Sequence, residues 1–536
     1  MTGPLPTRRA ELLARLAEPV PYDLAVVGGG ATGLGVALDA AARGLRVVLL
    51  ESHDFAKGTS SRSTKLVHGG VRYLAQGHLP LVREALHERT TLLRNAPHLV
   101  HPLPFVMPCY RWWEKPFYGT GLALYDALAG RTAASVGLGG TAWLSPAEVQ
   151  TRLPTVQAQG LTGGIQYWDG QFDDARLALA LARTAAVQGA LVLNYCAVTA
   201  LHHTAGRVSG LACQDTETGQ TYTVRSRCVV NATGVWVDGL RTQESAVKPM
   251  VSPSQGVHLV LDASFLPGQH AMLVPRTRDG RVLFALPWLG HTVLGTTDTP
   301  RPELQGDAIP REPQALAHEV AFILAEANRF LTRPPQRSDV KSVWAGLRPL
   351  VRPDEAPQTG QVKQTRAISR EHAVRLGPGG LVTVTGGKWT TYRAMAEDVL
   401  AHCMDQGLLP ERPAGVTVDL PLVGATGASF AAPGQGGGLA AYGSEAGAVT
   451  ALPGADRALG GGLTEAMVRF AVRHEYARTV EDVLARRARL LFLDAALASR
   501  LAPVVADVLA AEIGPGLDAG AAASAFQGLA ATYRLL

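Results

Sequence analysis

Residues 22–51 read YDLAVVGGGATGLGVALDAAARGLRVVLLE, and this stretch decides the fold. The run YDLAVV is short and continuously apolar, which is typical of a strand covered on both faces. A glycine turn and a helix-like segment follow, and LRVVLLE then gives a second apolar strand. Two buried strands joined by a helix predict a βαβ unit within a parallel, doubly wound sheet.

The turn after the first strand carries Gly28, Gly30 and Gly33 in the spacing GxGxxG. The first glycine permits a tight turn, the second lets a diphosphate approach the backbone, and the third lets the helix pack on the strand. Glu51 ends the second strand, where a carboxylate binds both ribose hydroxyls and repels a 2′-phosphate. A glycine turn that only joined strand to helix would not explain this acid. The stretch therefore predicts a dinucleotide site and argues against NADP.

The position of this unit favours FAD over NAD. It lies almost at the N-terminus, and the later strand VVNATG (229–234) ends in a turn of small residues at Gly234. That arrangement suits a flavin dinucleotide lying extended across the sheet.

Composition sets limits on function. The 536 residues exceed one compact core, so two or three domains are expected. The net charge of +5 comes without a Lys/Arg run, which argues against a nucleic-acid partner. Five cysteines without a CxxC pair argue against a disulfide framework or a metal site and favour a reducing, cytoplasmic compartment. No segment is apolar enough to span a bilayer, so we expect any membrane contact to be peripheral.

The nucleotide-binding fold recurs in separated pieces, and strand-like runs such as GVHLVLD and HTVLGTTD predict an antiparallel sheet between them. The Gly/Ala-rich stretch near 423–462 has little apolar bulk and is interpreted as linker. The predicted domains are a discontinuous FAD-binding domain at 1–95, 172–235 and 344–400, a substrate-binding domain at 96–171 and 236–343, a linker at 401–463, Gly/Ala-rich in part, and a C-terminal helical domain at 464–536.

Several segments resemble one known family. The most specific are TSSRSTKLVHGGVRYL (59–74) and GGKWTTYR (386–393), with VVNATGVWVD, LGTTDTP, WAGLRPLV and HEYARTVEDVLARR in support. Together they are similar to the FAD-dependent glycerol-3-phosphate dehydrogenases, within the D-amino-acid-oxidase-like flavoproteins. The resemblance implies an α/β (α+β overall) chain with a Rossmann-like FAD domain of glutathione-reductase type. It also implies oxidation of sn-glycerol 3-phosphate to dihydroxyacetone phosphate, with the C2 hydride passing to flavin N5 and electrons then passing to membrane quinone.

A phosphorylated alcohol needs cations to hold its phosphate and a base to take its hydroxyl proton. Arg348 follows a strand in a turn, and Lys388 opens a helix after a Gly-Gly pair, so both are candidates for substrate binding and catalysis. By resemblance, Arg72 and Tyr73 contact the substrate's polar end. His258 is the candidate general base, because an imidazole with a pKa of about 6.5 is poised at neutral pH. A lone histidine in an apolar strand is also often a core residue, and His68 is the second candidate.

Further residues are expected at the cofactor. Hydroxyls, charge and small turns suggest contacts with the diphosphate, ribityl chain or flavin ring, although a polar loop or helix caps would explain the same residue types. Beyond the glycine turn and Glu51, the candidates are Ser60, Ser61, Thr64, Lys65, His68, Gly234, Gly387, Thr390 and Thr391.

The electron acceptor stays open between quinone and oxygen. The aromatic and basic stretch 111–118 (RWWEKPFY) would suit a lipid interface, and equally a domain core. We expect a cytoplasmic protein, peripheral on the inner face of the cytoplasmic membrane, and leave a homodimer open. The alternatives are a glycerol-3-phosphate oxidase, another amine- or 2-hydroxy-acid-oxidising flavoenzyme of the superfamily, and, from a different class, a flavin-binding structural or tRNA-modifying protein.

Overall fold

A computed structural model describes residues 5–70, 78–130, 132–245, 247–352, 372–430 and 437–535. Its strands are β1 Tyr22–Val27, β2 Val47–Leu50, β3 Leu66–Val67, β4 Val100–Cys109, β5 Ala142–Leu144, β6 Gly163–Phe172, β7 Leu191–Leu193, β8 Cys196–Thr204, β9 Arg207–Asp215, β10 Thr221–Asn231, β11 Val251–Asp262, β12 Ala271–Val274, β13 Leu283–Trp288, β14 His291–Gly295, β15 Thr299–Pro300, β16 Ser342–Val351, β17 His372–Leu376, β18 Val382–Gly386, β19 Ala458–Gly460 and β20 Leu463–Thr464.

The helices are α1 Arg9–Leu16, α2 Ala31–Ala42, α3 Leu79–Asn95, α4 Glu114–Ala129, α5 Thr132–Ser135, α6 Pro146–Arg152, α7 Asp174–Val187, α8 Val237–Glu244, α9 Ala317–Ala327, α10 Tyr392–Asp405, α11 Ala446–Thr450, α12 Glu465–His474, α13 Leu490–Leu493, α14 Ala495–Ile513 and α15 Ala519–Ala531. A π-helical turn at Asp482–Arg487 and several short 3₁₀ turns complete the described elements.

The first sheet contains the predicted βαβ unit. Its strands run in the order β17-β18-β10-β1-β2-β7, and β1 pairs in parallel with both β2 and β10. Val26 on β1, which is fully buried, has Leu49 and Val230 as its register partners. Helix α2 packs on β1 and β2 and against α7 and α10, so a layer of helices covers one face of the sheet. This confirms the predicted Rossmann-like fold.

The second sheet is the mostly antiparallel one predicted from the strand-like runs. Its order is β15-β11-β14-β13-β12-β4-β6-β3, with β16 paired to β11 and β5 to β6; the β12–β4 pair is parallel. Two segments that were assigned to the FAD-binding domain pair in this sheet, and the first is β3, which is antiparallel to β6. Residues 344–351 were assigned to the FAD-binding domain, but β16 is antiparallel to β11 over its whole length. Its alternating side chains thus belong to the same sheet as the predicted substrate domain.

The predicted linker also differs at both ends. Residues 401–405 continue helix α10. A 3₁₀ segment at Gly438–Glu445, helix α11 and strand β19 lie within the rest of the stretch, where Ala441, Tyr442 and Val449 are buried. Tyr442 packs edge-on against Phe470 of α12 at a centroid distance of 5.3 Å. A few large side chains among many glycines therefore suffice to attach this stretch to the C-terminal helices. Within the described ranges, no helix combines the length and apolar character needed to cross a bilayer.

Candidate active site

A cavity of about 1630 Å³ opens between the two sheets. A small-ligand site usually measures about 300–1,000 Å³, so this cavity has room for an extended cofactor and a second molecule. Most of the predicted site residues line it. They are Gly28, Gly30, Glu51, Ser60, Thr64, His68, Gly234, His258, Arg348, Gly387, Lys388 and Thr390.

One end of the cavity is the glycine turn. Gly28 has φ +110°, and a β-carbon on Gly33 would lie 2.0 Å from the Gly28 carbonyl oxygen, so both positions require glycine. Glu51 Oε2 accepts a hydrogen bond from Gly29 N–H at 2.7 Å, which fixes the carboxylate beside the turn. The N-cap residue of helix α2, Gly30, has no side chain to cap it, the first turn holds no acidic residue, and Ser60 Oγ takes only the first N–H, that of Ala31. The positive end of this helix beside a fixed carboxylate fits the diphosphate and ribose of FAD.

The segment after Gly58 joins this turn to the other end of the cavity. Ser60 Oγ accepts from Ala31 N–H at 2.9 Å, and the Ser60 carbonyl accepts from Trp389 Nε1 at 2.8 Å. His68 N–H donates to Thr390 Oγ1 at 3.2 Å. The two most specific sequence motifs therefore meet in space, and between them they fit the ribityl and ring portions of a flavin.

Arg348 is fixed on β16 opposite Ser254 of β11. Its Nη2 donates to the Thr297 carbonyl at 3.0 Å and to Thr296 Oγ1 at 3.2 Å, and Nη1 lies 3.4 Å from Asp298 Oδ1. A β-carbon on Gly256 would lie 2.3 Å from Arg348 Nη2, so a glycine leaves the space that the guanidinium fills. The arginine is thus oriented before any ligand arrives.

His258 lies between Trp344 and Gly295 and is only 1% exposed. Its ring stacks on Trp344 with centroids 4.1 Å apart, and Nε2 lies 3.0 Å from Thr64 Oγ1. Burial, followed by the positive charges of Lys65 and Arg348, lowers the pKa of His258 well below its ordinary 6.5. The sequence-based expectation of a pKa near 6.5 is therefore wrong for this structure. The imidazole is neutral at pH 7 and capable of accepting a proton.

Three predicted cofactor residues, besides Gly33, lie away from the cavity. Lys65 is fully buried, and its Nζ donates to Asp174 Oδ2 and to the Ser61 carbonyl, both at 2.7 Å. Ser61 and Thr391 are buried as well, with the Thr391 hydroxyl directed at the Lys388 carbonyl. Charge and hydroxyl content alone cannot show whether a side chain points into the cavity or into the protein interior. These three side chains point into the interior.

Gly33, Arg72 and Tyr73 are the remaining predicted site residues. Gly33 serves helix–strand packing, as its spacing indicated, and does not line the cavity. Arg72 and Tyr73 lie outside the described residues.

Some lining residues were missed from the sequence. Asp169 of β6 is buried in the wall, where it accepts from Arg89 Nη1 at 2.6 Å and from the Tyr125 hydroxyl at 2.8 Å. Tyr125 also accepts from Gly69 N–H at 2.7 Å, which anchors the backbone next to His68. Burial raises the pKa of Asp169 more than Arg89 lowers it. No local motif marks these residues. Asp298 lies in LGTTDTP, so the family resemblance could have identified it.

Comparison with known proteins agrees with this geometry. The family model described as FAD dependent oxidoreductase matches residues 23–393, and the C-terminal domain of alpha-glycerophosphate oxidase matches residues 438–516. The chain is 40% identical to a mitochondrial glycerol-3-phosphate dehydrogenase of Arabidopsis thaliana, over 95% of this chain and 86% of the relative. It is 39% identical to the mitochondrial glycerol-3-phosphate dehydrogenase of Homo sapiens, over 95% and 72%.

A solved structure is similar over nearly the whole chain. The FAD-complexed glycerol-3-phosphate dehydrogenase of Bacillus halodurans superposes with a TM-score of 0.74 at 29% identity, covering 98% of this chain and 96% of that one. FAD, the cofactor named in the family's description, fits the glycine turn, the fixed Glu51 and the volume of the cavity. The chain therefore belongs to the FAD-dependent oxidoreductases and, within them, to the glycerol-3-phosphate dehydrogenase family.

Proposed function

We propose that this protein oxidises sn-glycerol 3-phosphate to dihydroxyacetone phosphate at its FAD. One observation carries the proposal: Arg348, Lys388 and His258, which are far apart in sequence, line the same cavity as the glycine turn and Glu51. The names of the relatives support this substrate. FAD supplies the hydride acceptor when it is bound, and the protein supplies binding, orientation and proton transfer.

The cations hold the phosphate. A guanidinium offers a fork of N–H donors that suits phosphate oxygens, and the contacts of Arg348 with Thr296 and Thr297 aim that fork before the substrate binds. Lys388, from the GGKWTTYR motif, adds a second positive charge to the cavity wall. Fixing the anionic end of a three-carbon substrate also fixes its central hydroxyl, so most of the geometric demand of hydride transfer is met by binding.

The proton leaves through Thr64 and His258. His258 is almost completely shielded, whereas Thr64 is half-buried and lines the cavity next to it. The substrate hydroxyl gives its proton to Thr64 Oγ1 while the Thr64 proton passes to His258 Nε2, 3.0 Å away. Because burial and the nearby cations hold the pKa of His258 well below 6.5, the imidazole is neutral and has a lone pair to take this proton. The same shift makes it a weaker base than a free histidine.

Thr64 can be tested directly. Thr64→Val should lower kcat with little change in KM, and Thr64→Ser, which restores the hydroxyl, should recover most of it. Equal activity in Thr64→Val and wild type would remove the relay.

The decisive experiment for the substrate is anaerobic addition of glycerol 3-phosphate to the purified yellow protein. Loss of the visible absorbance of oxidised flavin is expected, since the hydride has no other acceptor. Glycerol and D-lactate serve as controls that lack the phosphate. Bleaching by an amine or a 2-hydroxy acid, but not by glycerol 3-phosphate, would favour the other oxidising flavoenzymes.

We further propose a lipophilic quinone as the electron acceptor. Part of the cavity wall is apolar and includes Phe105, Leu122, Tyr167 and Phe284. Such a wall suits a flat apolar ring better than a charged acceptor. Turnover with a short-tailed quinone should exceed turnover with oxygen; the reverse ranking would identify an oxidase.

The same wall supports a membrane-peripheral location. Phe117, 65% exposed, lines the cavity, and Trp112, 83% exposed, lies near it on the sequence with Lys115 between them. Exposed aromatics beside a basic residue suit a lipid interface. Wild type should float with anionic vesicles at low salt and Trp112→Ala/Phe117→Ala should not. Absence of wild-type protein from the vesicle fraction would exclude this location.

A further inference from the structure

The segment from His53 to Leu66 has two faces with different partners. One face lines the cavity through His53, Lys57, Gly58, Thr59, Ser60 and Thr64. The other face is turned to the C-terminal helices, and its polar groups are buried. Three arginines of one short stretch, Arg486, Arg487 and Arg489, bond to this second face, and Glu481 of the same region pairs with Lys57.

Asp54 is the first anchor. It is fully buried and accepts hydrogen bonds from Arg486 and Arg487, the latter at 3.0 Å from Nη2 to Oδ1. Asn194 completes its shell at 3.2 Å. Although burial alone would raise the pKa of Asp54, the two guanidiniums hold it below its usual range. A buried charge of this kind is stable only with its partners in place.

The Ser61 carbonyl is the second anchor. It accepts from Arg489 Nη2 at 2.9 Å and from Lys65 Nζ at 2.7 Å. Arg489 Nη2 also donates to Asp174 Oδ1 at 3.0 Å, and the side chain is 1% exposed. The neighbouring Ser60 directs its hydroxyl forward to Ala31 N–H at the glycine turn. The dipeptide Ser60-Ser61 is therefore bonded to the C-terminal region through the Ser61 carbonyl and to the glycine turn through the Ser60 hydroxyl.

We propose that Arg489, with Arg486 and Arg487, positions the cofactor segment 53–66, so that the C-terminal domain maintains the FAD site without touching it. The arginines act through Asp54 and Ser61, which keep Ser60 aligned with the first turn of α2. Contacts that hold binding residues from outside the site commonly raise its affinity, because the segment is already ordered and binding then costs less conformational entropy. The proposal depends on FAD binding and not on the substrate.

The test compares two arginines of the same domain. Arg489→Met removes the contacts to Ser61 and Asp174. Arg469→Met is the matched control, because Arg469 is paired with Glu465 and Glu512 within the C-terminal region. FAD release from the full-length holoenzyme is followed on dilution by the gain in flavin fluorescence. We expect the Kd for FAD to rise at least about tenfold in Arg489→Met, the scale of a lost charged hydrogen bond, and less than about twofold in the control.

A second arm separates positioning from general destabilisation. Arg489→Lys keeps a charge beside Asp174 but replaces the guanidinium fork with one nitrogen, so it should fold and show an intermediate Kd. Added FAD should restore kcat and Tm in both Arg489 variants. An unchanged Kd in the Arg489 variants, or an equal rise in Arg469→Met, would overturn the proposal. So would a loss of kcat that saturating FAD does not restore.

Discussion

Gly295 and His258 are register partners on adjacent strands, and the imidazole occupies the space that a side chain on Gly295 would fill. A β-carbon there would lie 2.3 Å from His258 Cδ2 and 2.9 Å from Nε2. On its other side the ring stacks on Trp344. The position of the candidate base is thus set by a tryptophan and by the absence of a side chain.

Gly295→Ala should therefore displace the imidazole and disturb its contact with Thr64. We expect kcat to fall about 100-fold, the cost of a displacement of roughly 1 Å at a reacting group, with FAD content unchanged. Steady-state kinetics and the flavin spectrum measure both. Gly447→Ala is the matched control, because a β-carbon at that helical position meets open space. Wild-type kcat in Gly295→Ala would show that His258 does not act in the reaction.

Arg348→Ala should raise the KM for glycerol 3-phosphate at least about tenfold, as expected for loss of a charged hydrogen bond. Flavin content should not change, because the described contacts of Arg348 are with Thr296, Thr297 and Asp298. Arg278→Ala, at a side chain 70% exposed and outside the cavity lining, controls for the loss of one positive charge. Wild-type kinetics in Arg348→Ala would remove it from the substrate site.

Glu51→Ala should release FAD during gel filtration. Oε2 of the carboxylate accepts from Gly29 N–H at 2.7 Å and Oε1 from His53 N–H at 2.9 Å, which fixes it in the cavity wall beside the glycine turn, where the ribose role requires it. The absorbance ratio of flavin to protein in the eluted peak is the measurement. Glu11→Ala, at a side chain 60% exposed, is the matched control and should elute yellow. A yellow Glu51→Ala protein would contradict the ribose role.

Local patterns predicted the parts of the site that are formed by contiguous backbone. The glycine turn at Gly28 and the acid at Glu51 follow from the geometry of one βαβ unit, and both lie where they were expected. The substrate end required the family resemblance, because Arg348 and Lys388 line one cavity only through the pairing of distant segments.

The errors have one physical cause. Lys65 and Thr64 are neighbours in a polar loop, yet one is buried against Asp174 and the other lines the cavity. The partners that decide between these faces are Asp174 and Arg489, more than 100 residues away. The β16 boundary was misplaced for the same reason, since a strand's sheet is decided by its distant partner β11.

Two buried histidines outside the site predict how stability depends on pH. Burial, with Arg176 adding to it, lowers the pKa of His98 to about 3, and burial alone lowers the pKa of His101 to about 4. In the unfolded chain both titrate near 6.5, so between pH 6.5 and about 4 the unfolded state binds more protons than the folded state. These two histidines therefore lower the free energy of unfolding as pH falls below 6.5, by up to about 1.4 kcal/mol per pH unit for each histidine. The Tm of the holoenzyme, measured between pH 7.5 and 5, should be level above pH 7 and fall below 6.5.

His101→Gln removes one of the two groups and should flatten that fall, while His203→Gln, at an exposed position on β8, should leave it unchanged. If His101→Gln shows the wild-type slope, the imidazole of His101 is already protonated in the folded protein and the assigned direction of its pKa is wrong.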